Sequence, residues 1–157
     1  MKKSILFFAV IVICFAHFSC KKDEKESTKT ELLTGNTWII KSKAVSPPAM
    51  LGGIVIDDVS ILDSDDQRNF TFKYNADGTM LQYNKAQQVI FTSGWSFNAD
   101  ENVITYNPGI VFSYSMVGDV ILDTMTIISI TKDKLVVEVP YNFAGTVYLA
   151  TFTYEPK

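Results

Sequence analysis

Three regimes of side-chain polarity follow one another along the chain. Residues 5–18 are apolar almost without a break, residues 21–31 (KKDEKESTKTE) are almost wholly charged or polar, and from Leu32 onward apolar and polar positions alternate with a period of two. Trp38, Ile40 and Ser42 alternate with Ile39 and Lys41. Phe70, Phe72 and Tyr74 alternate with Thr71 and Lys73, and Leu81 and Tyr83 follow after a turn. Ile90, Trp95 and Phe97 mark a further stretch, residues 103–106 and then Ile110, Phe112, Tyr114 and Met116 give two more with Asn107-Pro108-Gly109 breaking between them, and 125–131, 135–139 and 147–154 complete the set. Alternation over four to eight residues puts one face of a strand in a core and the other in water. A 3.6-residue period long enough for an extended amphipathic helix is not found.

The turns agree. Asn75-Ala76-Asp77-Gly78 carries the Asp-Gly pair that supplies a left-handed residue to a hairpin, and Asn98-Ala99-Asp100-Glu101-Asn102 nearly copies it. Residues 72–83 (FKYNADGTMLQY) and 95–106 (WSFNADENVITY) form a small repeat: aromatic-x-aromatic, an Asn-Ala-Asp turn, and a returning strand that ends in Tyr. Eight or nine strands with short connections predict an all-β fold. An eight-stranded up-and-down antiparallel barrel is favoured because closure removes exposed edges, and a two-sheet sandwich is the alternative. Residues 44–66 stand apart, with Pro47-Pro48, Gly52-Gly53, an apolar stretch and five aspartates. A connection this long is either a lid over a binding site or a loop packed on the barrel.

The N-terminal segment changes the picture. Lys2 and Lys3 precede an apolar run too short to span a bilayer, which needs about 20 residues, but of signal-peptide length. Phe18-Ser19-Cys20 followed by Lys21-Lys22-Asp23 resembles the lipobox of bacterial lipoproteins, with His17 where that family favours Leu. The resemblance implies a leader over 1–19, lipidation (palmitate) at Cys20, and a membrane as partner through that anchor. Residues 20–31 are then the lipidated Cys and a flexible tether, and 32–157 the barrel domain. Lys22-Asp23-Glu24 also resembles a surface-export signal; a plain soluble linker reads equally well. The expected location is the cell envelope, as an outer-membrane lipoprotein, periplasmic or surface-exposed.

Within the domain, Leu32-Leu33-Thr34-Gly35-Asn36-Thr37-Trp38, residues 72–79, 94–100 and 130–135 resemble the lipocalin-like domains of Bacteroidetes lipoproteins. The likeness covers roughly 32–154 and implies an eight-stranded calyx without specifying a ligand. It departs from true lipocalins in the spacing of Gly35 and Trp38 and in having no clear counterpart of the Arg that covers the Trp. On this reading Trp38 plugs the closed end and Phe72, Trp95, Phe97, Phe112 and Tyr114 point inward. With Trp38, these are the candidate ligand-binding residues, and a packed core is the competing role.

Composition then limits the chemistry. Cleavage before Cys20 removes Cys14 and His17, so the mature chain holds no His and only an acylated Cys. Two of the 14 basic residues leave and all 17 acids stay, so the net charge moves from −3 to about −5. Imidazole and thiol catalysis are excluded, no phosphate-binding Gly-rich loop is present, and neither a cofactor nor an enzymatic activity is expected. With one Arg and no basic patch, no nucleic-acid partner is expected. Asp63, Asp65 and Asp66 start like an EF-hand, but Arg68 stands at the sixth place and Tyr74 at the twelfth, so no metal site is assigned. Two functions remain open: binding a small apolar or glycan ligand at the envelope, or serving as a packed structural or protein-interaction module.

Overall fold

The computed structural model describes residues 26–115, 118–143 and 145–157. The expected leader, Cys20, the first part of the tether and Met116 lie outside them, and Phe143 is described by its backbone alone. A short helix, Lys29–Gly35 (α1), precedes nine strands: Thr37–Leu51 (β1), Ile54–Asp58 (β2), Thr71–Tyr74 (β3), Thr79–Tyr83 (β4), Val89–Phe97 (β5), Val103–Tyr114 (β6), Gly118–Ile130 (β7), Leu135–Phe143 (β8) and Thr146–Pro156 (β9). From β3 to β9 each strand pairs antiparallel with the next, and β1 pairs with both β3 and β9. The result is a closed eight-stranded up-and-down barrel with β2 as one added strand; the sandwich does not form.

α1 begins inside the segment read as a tether. The Thr28 hydroxyl accepts from the Glu31 amide while the Glu31 carboxylate accepts from the Thr28 amide, a capping box that satisfies two otherwise orphaned donors. The helix closes one pole of the barrel. Leu33 is buried there, and the Trp38 indole donates to the Leu33 carbonyl at 2.8 Å. Lys73 Nζ donates to the Thr34 carbonyl at 2.7 Å, setting a cation at the helix C-terminus. Trp38 therefore plugs this pole as expected from the sequence.

Residues 44–66 are not an irregular connection. Gly52 and Gly53, both at positive φ, turn β1 directly into β2, with Leu51 opposite Ile54. Pro47 and Pro48 fall where the β1–β2 register breaks, between Ala44 and Ala49, so their missing amide hydrogens interrupt no regular ladder. Two 3-10 turns, Val59–Leu62 and Gln67–Asn69, follow. They bridge the gap left because β1 pairs with β3 only over residues 37–39. Ala49, Ile56 and Val59 are buried, which is the packing role; Met50, Ile54, Val55 and Ile61 stay exposed.

Residues 103–114 are one strand, not two. Asn107-Pro108-Gly109 is a bulge: the β6–β7 register shifts between Thr105 and Ile110 and then resumes. Gly109 is needed there for close approach. A Cβ at this position would lie 2.3 Å from Asp123 Oδ1, 2.7 Å from Ile121 Cγ2 and 3.1 Å from the Leu122 carbonyl oxygen. Gly35→Ala, by contrast, meets no atom within 4 Å. Urea unfolding is expected to show Gly109→Ala losing about 1–3 kcal/mol, and Gly35→Ala staying within about 0.5 kcal/mol of the parent.

Candidate functional site

All six candidate residues take inward register positions. Trp38, Phe72 and Phe112 are fully buried, Trp95 and Tyr114 nearly so, and Phe97 is half-buried at the edge of the core. They pack on one another and on further rings. Phe72 meets Phe112 at 6.5 Å and Tyr154 at 6.0 Å, Phe112 meets Phe152 at 6.2 Å, and Trp95 meets Tyr74 at 5.6 Å and Phe97 at 5.4 Å. Such tilted and edge-on pairs add to the burial of the rings themselves. Five of the six rings are thus part of the buried core, and Phe97 packs against it.

Two hydroxyl clusters complete the interior. Towards the Trp38 pole, the Tyr74 and Tyr106 hydroxyls stand 2.6 Å apart, and Met125 Sδ accepts from Tyr106 at 3.4 Å and from Tyr154 at 3.6 Å. The first two tyrosines come from the two copies of the hairpin repeat, which lie side by side in the sheet through the β4–β5 ladder. Towards the other pole, Lys43 Nζ donates to Asp63 Oδ1 at 2.6 Å and to the Tyr114 hydroxyl at 3.0 Å, and the Tyr141 hydroxyl donates to Tyr114 at 2.7 Å. The ammonium also lies 4.3 Å from the centre of the Phe112 ring, a cation–π contact in a desolvated setting. Burial pushes the Lys43 pKa below the usual lysine value; the charge and hydrogen bond of Asp63, and the charge of Asp58, oppose that shift. Burial raises the phenols of Tyr74, Tyr106, Tyr114, Tyr141 and Tyr154.

Lys43 was not legible as an inward residue. Strict alternation from Trp38 would face it outward, but the β1–β9 register slips between Ile40 and Ser42, and that slip reverses the parity of the strand. Lys43 and Val45 then point inward where Ser42 and Ala44 were due. The three aspartates of the EF-hand-like start each meet a lysine: Asp63 holds Lys43, Asp65 holds Lys85 Nζ at 2.7 Å on the surface, and Asp66 accepts from the Lys85 amide.

Three clefts lie among the described residues. One cleft, of about 440 Å³, is lined by Ile39, Ile40, Lys41, Ser60, Ile61, Asp63 and Arg68, where β1 leaves β3. A second, of about 230 Å³, runs between β5 and β6 and is lined by Gln67, Phe70, Gln82, Ile90, Phe91, Val111 and Ser113. A third, of about 380 Å³, is lined by Ser27, Glu31, Leu32, Gly35, Asn36, Lys132, Asp133 and Pro156, beside α1, and none of the six residues selected from the sequence lines any of the three. No protein-family model matches the chain, and no curated protein matches it.

Two measurements check the interior. Unfolded tyrosine ionises near pH 10, so each phenol with a raised folded value contributes stability that is full below pH 10 and is lost as pH rises above it. Absorbance at 295 nm is expected to show five of the seven tyrosines ionising only together with the loss of the barrel signal in circular dichroism. Lys43→Met is expected to cost about 3–5 kcal/mol because it strands Asp63, whereas Lys43→Met with Asp63→Leu restores most of that loss in denaturant titrations.

Proposed function

We propose that this chain is a lipid-anchored envelope protein whose barrel is a non-catalytic recognition module, working from its outer surface and not from a hollow calyx. The filled interior carries the reading: ring on ring, with a buried ion pair and two hydroxyl clusters where a ligand chamber would stand. Catalysis finds little to build on in a mature chain that has lost His17 and Cys14 and acylated Cys20.

The anchor rests on the Ser19-Cys20 pattern and its flanks, and the fold suits it. Thr28 caps α1 at the Trp38 pole, so a tether from Cys20 enters there. Eight residues from 21 to 28 extend at most about 30 Å, which leaves the Gly52–Gly53 hairpin and the β8–β9 turn at the pole away from the lipid. That far pole is uncharged over residues 44–56 and 139–154, and it exposes Met50, Ile54, Val55, Val147 and Leu149. Exposed aliphatic surface without charge is the composition of a contact surface.

A small-ligand reading keeps one foothold, the cleft beside Lys41 and Arg68. Its volume falls in the range of small-molecule sites, and Ile39, Ile40 and Ile61 line it together with Lys41, Arg68 and Asp63. Native mass spectrometry of the protein extracted from its own membranes separates the two readings. A chain carrying acyl groups at Cys20 and no other stoichiometric small molecule is expected, with Cys20→Ser losing labelled palmitate. A retained small molecule contradicts the outer-surface reading, and palmitate uptake by Cys20→Ser contradicts the anchor.

A further inference from the structure

One seam of the closed barrel is paired over only part of its length. β5 and β6 pair only from Gly94 opposite Asn107 to Phe97 opposite Ile104. Beyond Gly94, residues 89–93 pair with β4 alone, and residues 110–114 pair with β7 alone, among the described residues. The split begins at Pro108, which has no amide hydrogen with which to continue the ladder, and at the Gly109 bulge that draws β6 towards β7. Ser93 Oγ, donating to the Pro108 carbonyl at 2.6 Å, marks the fork. Past it, two strand edges face each other across a groove.

The groove has a definite chemistry. None of its seven lining residues is ionisable. Its walls are Ile90 and Val111, both solvent-exposed, and its floor includes Gln82, which is 2% exposed. Gln82 is nearly buried in this lining; its side-chain amide makes no hydrogen bond among the described residues, and its polar atoms still reach solvent there. One edge carbonyl already has a substitute partner: Gln67, itself held by the Ser64 amide, donates from Nε2 to the Ser113 carbonyl at 2.8 Å, where the amide of an adjacent strand would donate. Edge strands are usually guarded by charges or prolines. Residues 89–93 (VIFTS) and 110–114 (IVFSY) have neither.

We propose that this seam is a docking groove for one extended, uncharged stretch of polypeptide from another protein, which adds to a free edge as a β-strand. The proposal rests on the outer-surface reading above. Backbone amides and carbonyls supply both partners that the edges and Gln82 lack, alternate apolar side chains fit between Ile90 and Val111, and the absence of charge disfavours acidic or basic ligands. Edge-to-edge pairing with a second copy of the barrel is the competing occupant, and it would show as concentration-dependent dimerisation in the test below.

The test uses the full-length chain, labelled with nitrogen-15 in detergent micelles, and the capped peptide acetyl-Thr-Val-Thr-Val-Thr-amide. Saturable shifts are expected at the backbone amides of residues 89–93 or 110–114 and at the Gln82 side-chain amide. Val111→Lys, at an exposed position, is expected to weaken binding about tenfold, and Gln82→Met to weaken it in the same direction, with thermal unfolding confirming that both remain folded. If Gln82→Met does not fold, Val111→Lys alone decides. No saturable shift in the parent protein, shifts unchanged by Val111→Lys, concentration-dependent dimerisation through these edges in place of peptide binding, or cellotriose moving the same amides when the peptide does not would each overturn the proposal. A small molecule retained inside the barrel ends the reading beneath it; a silent groove in a protein with a filled barrel ends the groove alone.

Discussion

A buried cation, Lys43, organises the half of this barrel away from Trp38. Lys43 is carried inward by the slip in β1, into an interior of phenylalanine and tyrosine rings, and an unpaired ammonium there would be far too costly to keep. Asp63 answers it, and Asp63 belongs to the segment between the two 3-10 turns. The pair therefore pulls residues 59–70 down over the gap where β1 parts from β3. Asp58 reinforces the arrangement by accepting from the amides of Lys43 and Ser60, which fixes the corner at which β2 ends. A buried ion pair of this kind adds little net stability over a well-packed apolar pair; its effect here is to decide where a segment with no ladder of its own must lie.

The same interaction bears on function. A lipocalin-like barrel with eight strands has an interior that either holds a ligand or is filled by its own side chains. Lys43, Asp63, Tyr114 and Tyr141 fill one half, and Tyr74, Tyr106, Met125 and Tyr154 the other. Two of the outer clefts lie where the ladder fails, beside β1 and β3 and between β5 and β6. Both openings are bounded in part by residues 60–70, so the segment that Asp63 ties down also shapes the outer clefts.

Much of this architecture was readable from side-chain alternation. The period of two located most of the strands, the Asn-Ala-Asp turns located two hairpins, and the Leu-to-Trp38 opening located the plugged pole. What escaped had physical causes. The slip after Ile40 inverts strand parity, so Lys43 looked like a surface residue. Pro47-Pro48 and Gly52-Gly53 looked like breakers, but the prolines sit in a register break and the glycines form the hairpin turn itself. Asn107-Pro108-Gly109 looked like a boundary between strands because a bulge and a turn draw on the same residues. The helix Lys29–Gly35 escaped because it begins inside a charged segment that masks so short an element. Those two clefts were illegible because both arise from pairs of strands that fail to meet, and a missing pairing leaves no mark in either strand alone.

The most direct measurement is nitrogen-15 NMR of the lysine ammonium groups at neutral pH. A buried Lys43 held by Asp63 and Tyr114 should give one ammonium resonance that exchanges slowly with water, persists at a temperature where solvent-exposed lysines have broadened away, and disappears in Asp63→Asn. A Lys43 resonance that exchanges as fast as the exposed lysines, unaffected by Asp63→Asn, would contradict the filled barrel on which every later step depends.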